Sequence, residues 1–178
     1  QYTVKNLQQS YDQLDQATVD QIVDILLTSD RKYIAGFRGT ACCAQYMASK
    51  LLFLTPHVVP VIHADASAVE NLLDITEKDC LLLYSFPRYS EINRVLMDIA
   101  RENGAKIILM TDRRTSPLAN KADVVVVTYV GGLGFTNSYV APLSLSEVIL
   151  LAMSGRKDVT RSERFNRIDE IIEQEKLY

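Results

Sequence analysis

The chain begins with apolar residues at helical spacing. Val4, Leu7, Tyr11 and Leu14 share one stripe, and Val19, Ile22, Val23 and Leu26 resume it after a break at 15–18. Thr18, with Gln21 three residues on, has the spacing of a capping pair for the second piece, which Ser29-Asp30 ends. The period then changes. Short apolar runs at Tyr33 to Phe37, Val58 to His63, Cys80 to Tyr84, Ala105 to Met110 and Val124 to Val127 predict strands. Their nearly unbroken hydrophobicity fits a parallel sheet covered on both faces. Pro60 predicts an edge position for the second, because it has no N–H to give a neighbour.

Helical patterns separate these runs. One spans 41–54, with Ala44, Met47, Ala48, Leu51 and Leu52 inward and Pro56 as its stop; a short one spans 65–73; a third carries Ile92, Val95, Leu96, Ile99 and Ala100 and ends at Gly104. Residues 112–121 are turn-rich, and Gly131-Gly132-Leu133-Gly134 predicts a flexible loop. Leu143 to Met153 is apolar on nearly every side, which predicts a helix buried in the core or in a subunit interface. A last helix at 160–177 is expected to bury Phe165, Ile168 and Ile172. Alternating strands and helices predict an α/β fold with a parallel sheet between helices.

In such sheets ligands sit beyond the carboxyl ends of the strands, which directs attention to three loops. Gly36-Phe37-Arg38-Gly39-Thr40 offers close backbone approach, a hydroxyl and the start of a helix; it is equally readable as a tight turn. Ser85-Phe86-Pro87-Arg88-Tyr89-Ser90 brackets a strand end and a helix start with hydroxyls suited to phosphate oxygens, to which Arg88 adds a guanidinium; alternatively Ser90 only caps and Arg88 is solvated. In the third loop Ser116 has the position of a cap with Pro117 at the first helical residue, and that capping account outweighs a ligand contact.

The 178 residues are 48% hydrophobic and 23% charged, which predicts one globular domain and excludes a disordered chain. A net charge of −3 does not match nucleic acid. Arg156, Lys157, Arg161, Arg164 and Arg167 cluster late, but Asp158, Glu163 and Asp169 interleave them. Cys42, Cys43 and Cys80 lack metal-ligand spacing and predict buried reduced thiols of a cytoplasmic protein. The longest apolar runs, such as Val148 to Met153, fall far short of the ~20 residues that span a bilayer. No dinucleotide, Walker, zinc-protease or serine-elbow motif occurs, so no cofactor or metal is expected. His57 and His63 flank one strand without a nucleophile to serve. Glu147, on the apolar late helix, must be paired, hydrogen-bonded or set in a pocket. A start at Gln1 rather than Met predicts a fragment of a longer protein.

Taken in order, the strand–GFRGT–helix unit, the strand–SFPRYSE–helix unit, NGAKIILMTD and SPLANKADVVV resemble the sugar isomerase (SIS) domain, and more narrowly the C-terminal sensor domain of RpiR-type transcriptional regulators, over nearly the whole chain. The resemblance implies a flavodoxin-like, three-layer sandwich with five parallel strands. Within 1–178 as a single SIS domain it implies a leading helical segment at 1–28, a core at 31–154 and a C-terminal helix at 160–177. It further implies a sugar phosphate at the strand ends, a homodimer formed through helices, and an upstream helix-turn-helix domain as the only contact with DNA. The residues expected to bind the ligand are Ser85, Ser90 and Arg88 at the phosphate, with Thr40 and the Gly36–Gly39 backbone in support and Arg38 reaching in from the rim; Ser116 is a weaker candidate, and Glu147 is a candidate for touching sugar hydroxyls, from its own or the neighbouring subunit. Two departures stand out. Pro87 and Arg88 occupy the middle Ser and Gly of the family's phosphate loop, and Arg38 replaces the second Gly of the first loop. The arginines either raise the anionic charge the pocket accepts or fill it. A non-catalytic phosphosugar sensor is the expected function; the alternatives are an aldose–ketose phosphate isomerase using Glu147 as base and a ligand-free dimerisation module.

Overall fold

The computed structural model describes residues 1–132, 136–156, 159 and 163–176. Helices α1 (Tyr2–Gln13) and α2 (Gln16–Thr28) precede β1 (Lys32–Gly36), α3 (Ala41–Leu54), β2 (Val58–Val61), α4 (Ala66–Leu72), β3 (Cys80–Tyr84), α5 (Glu91–Glu102), β4 (Lys106–Thr111), β5 (Val124–Val127), α6 (Val140–Ser154) and α7 (Glu163–Glu175). All strand pairs are parallel and the order is β2-β1-β3-β4-β5. This is the flavodoxin-like arrangement, with Pro60 on an edge strand as its missing N–H requires.

Alternation along the strands builds two cores. Ile34, Cys80, Leu82, Tyr84, Ile108 and Met110 face α2, α3 and α6, while Tyr33, Ala35, Leu81, Leu83, Ile107 and Leu109 face α4 and α5. Tyr84 is wholly buried and its hydroxyl meets the Ser146 hydroxyl at 2.6 Å; Ser146 donates in turn to the Pro142 carbonyl at 2.8 Å. At the amino ends of the strands, the carboxylate of buried Asp79 accepts from the backbone N–H groups of Arg31 and Thr76, the Thr76 hydroxyl and the Arg31 guanidinium. Lys32 is also buried, its ammonium donating to the Pro56 carbonyl at 3.0 Å.

Several expectations are corrected. Asp15, not Thr18, caps α2, accepting from the Thr18 N–H at 2.7 Å. The apolar stripe of α1 faces the body only in part: Val4 and Tyr11 are exposed, Leu7 is half-buried and Leu14 packs on the core, while polar Asn6 and Ser10 are buried. Asn6 donates to the Gly131 carbonyl and the Ser10 hydroxyl accepts from the Tyr129 N–H, so hydrogen bonds to the segment after β5 set the helix's orientation. Ser116 caps no helix from Pro117; two hydrogen-bonded turns, 113–116 and 116–119, lead into a short 3-10 turn at Ala119–Lys121. Cys43 and Cys80 are buried but Cys42 is exposed. In α7, Phe165, Ile168 and Ile172 are half-buried rather than buried, with Phe165 edge-on to Phe53 of α3. The rest of the expected 160–177 helix, Lys157, Asp158 and Arg161 of the late charge cluster, and Leu133-Gly134 of the expected loop lie outside the described residues. No helix among the described residues is long and apolar enough to cross a membrane.

Candidate functional site

The strand order reverses direction between β1 and β3, the place where open α/β sheets leave a crevice for ligands. A cleft of about 170 Å³ opens there, lined by Phe37, Arg38, Gly39, Phe86, Pro87, Arg88, Ser90, Asn93, Thr136, Asn137 and Tyr139. Two helix starts, those of α3 and α5, lie on its loops and bring the positive ends of their dipoles to it. The two arginines are the only charged groups among the described lining residues, so the site favours anions. Tyr139 lies against the first loop: a Cβ on Gly39 would come within 2.6 Å of its hydroxyl, and its ring stands 6.1 Å from that of Phe86.

Both arginines hold left-handed backbone, Arg38 at φ 57° and Arg88 at φ 72°. These are the positions where the resembled family carries glycine, the residue that enters this region without penalty. A non-glycine residue pays roughly 1–2 kcal/mol for it. The loops therefore keep a glycine-shaped backbone while carrying guanidinium groups. Glycine variants of Arg38 and Arg88 are expected to be more stable than the corresponding alanine variants by about 1 kcal/mol each, the reverse of the usual ranking. Thermal denaturation of the four proteins checks this, and alanine equal to or better than glycine contradicts it.

The hydroxyls expected to hold phosphate divide into two groups. Ser90 lines the cleft at the N-cap of α5, and its side chain makes no capping bond. Thr40 and Ser85 stand behind the cleft. The Thr40 hydroxyl accepts from the Phe37 N–H at 2.8 Å and donates to the Phe37 carbonyl at 2.9 Å, while the Ser85 hydroxyl, 1% exposed, accepts from the Asn93 amide at 2.8 Å. Gly36, at the end of β1, shapes the loop rather than lining the cleft. Ser116 is buried in the β4–β5 connection, away from the lining. Tyr89, half-buried, does not line the cleft: its hydroxyl donates to Asp112 beyond β4, and burial first, then that carboxylate, push its pKa up to about 12. Neither Tyr89 nor the arginines fill the crevice, which remains open.

Glu147 is not brought to this cleft. It lies exposed on α6, where its carboxylate accepts from the Tyr46 hydroxyl at 2.6 Å, in an apolar groove of about 640 Å³ between α1, α3 and α6. His57 and His63 do not line the cleft either. Asn93, which does, was missed in the sequence; the available signal was a polar residue in the first turn of the helix that follows the SFPRYS loop.

The model of the SIS domain family matches residues 25–152. The chain belongs to the SIS domain family. Among curated proteins it is 27% identical over 160 residues to the glutamine–fructose-6-phosphate aminotransferase [isomerizing] of Pyrobaculum aerophilum; the match takes in 85% of this chain and only 26% of that protein. Among solved structures it superposes on the sugar isomerase domain of an RpiR transcription factor from Sphaerobacter thermophilus, with a TM-score of 0.88 and 21% identity over 96% of this chain and 93% of that one. The NanR protein of Vibrio vulnificus, solved in complex with ManNAc-6P, gives a TM-score of 0.81 and 16% identity over 96% of this SIS chain and 66% of that one. These likenesses bear out the α/β reading and the resemblance to the RpiR sensor domain.

Proposed function

We propose that this SIS domain is the phosphosugar-sensing part of a bacterial transcriptional regulator. It binds a sugar phosphate in the β1/β3 cleft and passes that state to a DNA-binding domain upstream of Gln1. The observation that carries the reading is the cleft itself. It has two arginines on its rim and two helix starts behind them, and the described residues that line it include no carboxylate, imidazole, amine or thiol. Such a site suits an anion, and among its described lining residues only the Tyr139 phenol is of an acid–base type, with no carboxylate or imidazole beside it, which supports binding without turnover. Its volume is below the usual 300–1,000 Å³ of small-molecule pockets, so it suits the phosphate and the first carbons of a sugar. The RpiR and NanR likenesses support the regulatory setting, and the ManNAc-6P held by NanR supports the ligand class.

The same reading places the protein in the cytoplasm as a homodimer, with 1–178 a single SIS domain. Dimer contacts are assigned to the exposed apolar residues of α1 and α6, Tyr2, Val4, Tyr11, Val140 and Leu151, of which Leu151 is 74% exposed. Signalling then needs only a ligand that favours one dimer arrangement over another.

Thermal denaturation with a panel of sugar phosphates tests the reading. A ligand at 100 times its Kd adds about 2.7 kcal/mol, roughly 5–10 °C for a chain of this size, and an Arg38→Ala/Arg88→Ala double variant loses the shift. No shift with any sugar phosphate leaves only the dimerisation module. The aminotransferase likeness favours the second reading, a sugar-phosphate isomerase. Turnover in a coupled aldose–ketose assay, abolished by Tyr139→Phe or by the double arginine variant, would establish it against the sensor.

A further inference from the structure

Asn93 is the third residue of α5 and is 4% exposed, yet its Oδ1 has no hydrogen-bond partner. Its Nδ2 donates to the buried Ser85 hydroxyl, which fixes the amide plane. A buried carbonyl oxygen without a donor costs about 1–3 kcal/mol, and Asn93 is one of the residues that line the cleft, so a ligand donor there would satisfy it. An ionised phosphate has no hydrogen to give it and would be repelled. The anion-seeking groups, Arg38, Arg88, Ser90 and the first N–H groups of α5, share the cleft with it.

We infer that Asn93 Oδ1 accepts a hydrogen bond from a hydroxyl of the bound ligand, so that the cleft selects hydroxylated phosphate monoesters over equally charged apolar ones. The inference rests on the reading of the cleft as a sugar-phosphate site and adds which end of the ligand points inward. The phosphate stays with the arginines and Ser90. The carbon chain enters between the Phe37, Phe86 and Tyr139 rings and presents a hydroxyl to Asn93. Specificity of this kind comes from the cost of leaving Oδ1 unpaired when an alkyl phosphate binds.

Isothermal calorimetry with three probes tests it: a panel of hexose and pentose phosphates, hexyl phosphate and inorganic phosphate. In the unaltered protein the best sugar phosphate is expected to bind about tenfold more tightly than hexyl phosphate. Asn93→Leu is expected to erase that advantage and leave inorganic phosphate within about twofold of its original affinity. Asn93→Ala, which adds no apolar bulk, serves if the leucine variant does not fold, with the same expected pattern. Two results overturn the inference while leaving a phosphate site in place: sugar and hexyl phosphates binding equally, or an Asn93 variant that weakens inorganic phosphate as much as sugar phosphate. Loss of all binding in the unaltered protein overturns the cleft reading, and this inference with it.

Discussion

Replacing Asp79 by alanine is expected to cost about 3 kcal/mol of folding stability, roughly 6–12 °C in melting temperature. Its side chain is 1% exposed and gathers the N–H groups of Arg31 and Thr76, the Thr76 hydroxyl and the Arg31 guanidinium, tying the start of β1 to the start of β3. Truncation leaves those donors without an acceptor. The Arg31 end is partly solvated, at 36% exposure, so its share is the smaller one. The effect depends on pH with a definite sign. Burial works to raise the Asp79 pKa, but the Thr76 and Arg31 hydrogen bonds outweigh it and hold the carboxyl below its ordinary value. A folded-state pKa below the unfolded value of about 3.9 means the contribution is complete above that value and lost as pH falls through the folded one. The gap between the original protein and Asp79→Ala is therefore expected to narrow below about pH 4. Denaturant melts at pH 7 and pH 3 check this, and a gap independent of pH contradicts it.

Gly36→Ala is expected to destabilise by about 2–3 kcal/mol and to abolish ligand binding as well. A Cβ there would stand 2.5 Å from the Thr40 carbonyl oxygen and 3.1 Å from the Ala44 Cβ. Backbone on one side and the first turns of α3 on the other cannot move without shifting the whole β1–α3 loop. The Phe37–Thr40 hydrogen bonds that hold the turn would then break, and Arg38 and Gly39 would leave the cleft. Gly39→Ala provides the contrast. The three atoms nearest its Cβ all belong to the Tyr139 side chain rather than to backbone, so a smaller loss of stability with a changed cleft wall is expected. Equal, small losses at the two glycines in thermal melts would contradict the steric account.

The sheet was legible because its strands are buried on both faces and keep apolar residues in short runs. The edge strand was legible because Pro60 cannot donate. Positions where a residue's face is decided by hydrogen bonding were not legible. Nothing in the spacing of Val4, Leu7, Tyr11 and Leu14 indicates that Asn6 and Ser10 would turn inward to reach Gly131 and Tyr129. The same limit applies to the site. The loops after β1 and β3 were found from small residues and hydroxyls, and Arg38, Gly39, Arg88 and Ser90 do meet at one cleft. Whether a hydroxyl faces the ligand or the protein depends on a rotamer and a neighbour; Thr40 is taken by its own turn and Ser85 by Asn93. Glu147 was correctly singled out as a carboxylate in need of a partner, but the nearly uniform apolar character of α6 hid which side it occupies, and its partner is Tyr46.

Amide chemical shifts recorded while a sugar phosphate is titrated in test the anion-binding cleft most directly. The account predicts saturable changes at residues 37–40 and 86–93, where the two arginines and the start of α5 meet, with little change around Tyr46 and Glu147. Saturable changes confined to the groove between α1, α3 and α6, with the β1 and β3 loops unmoved, would contradict it.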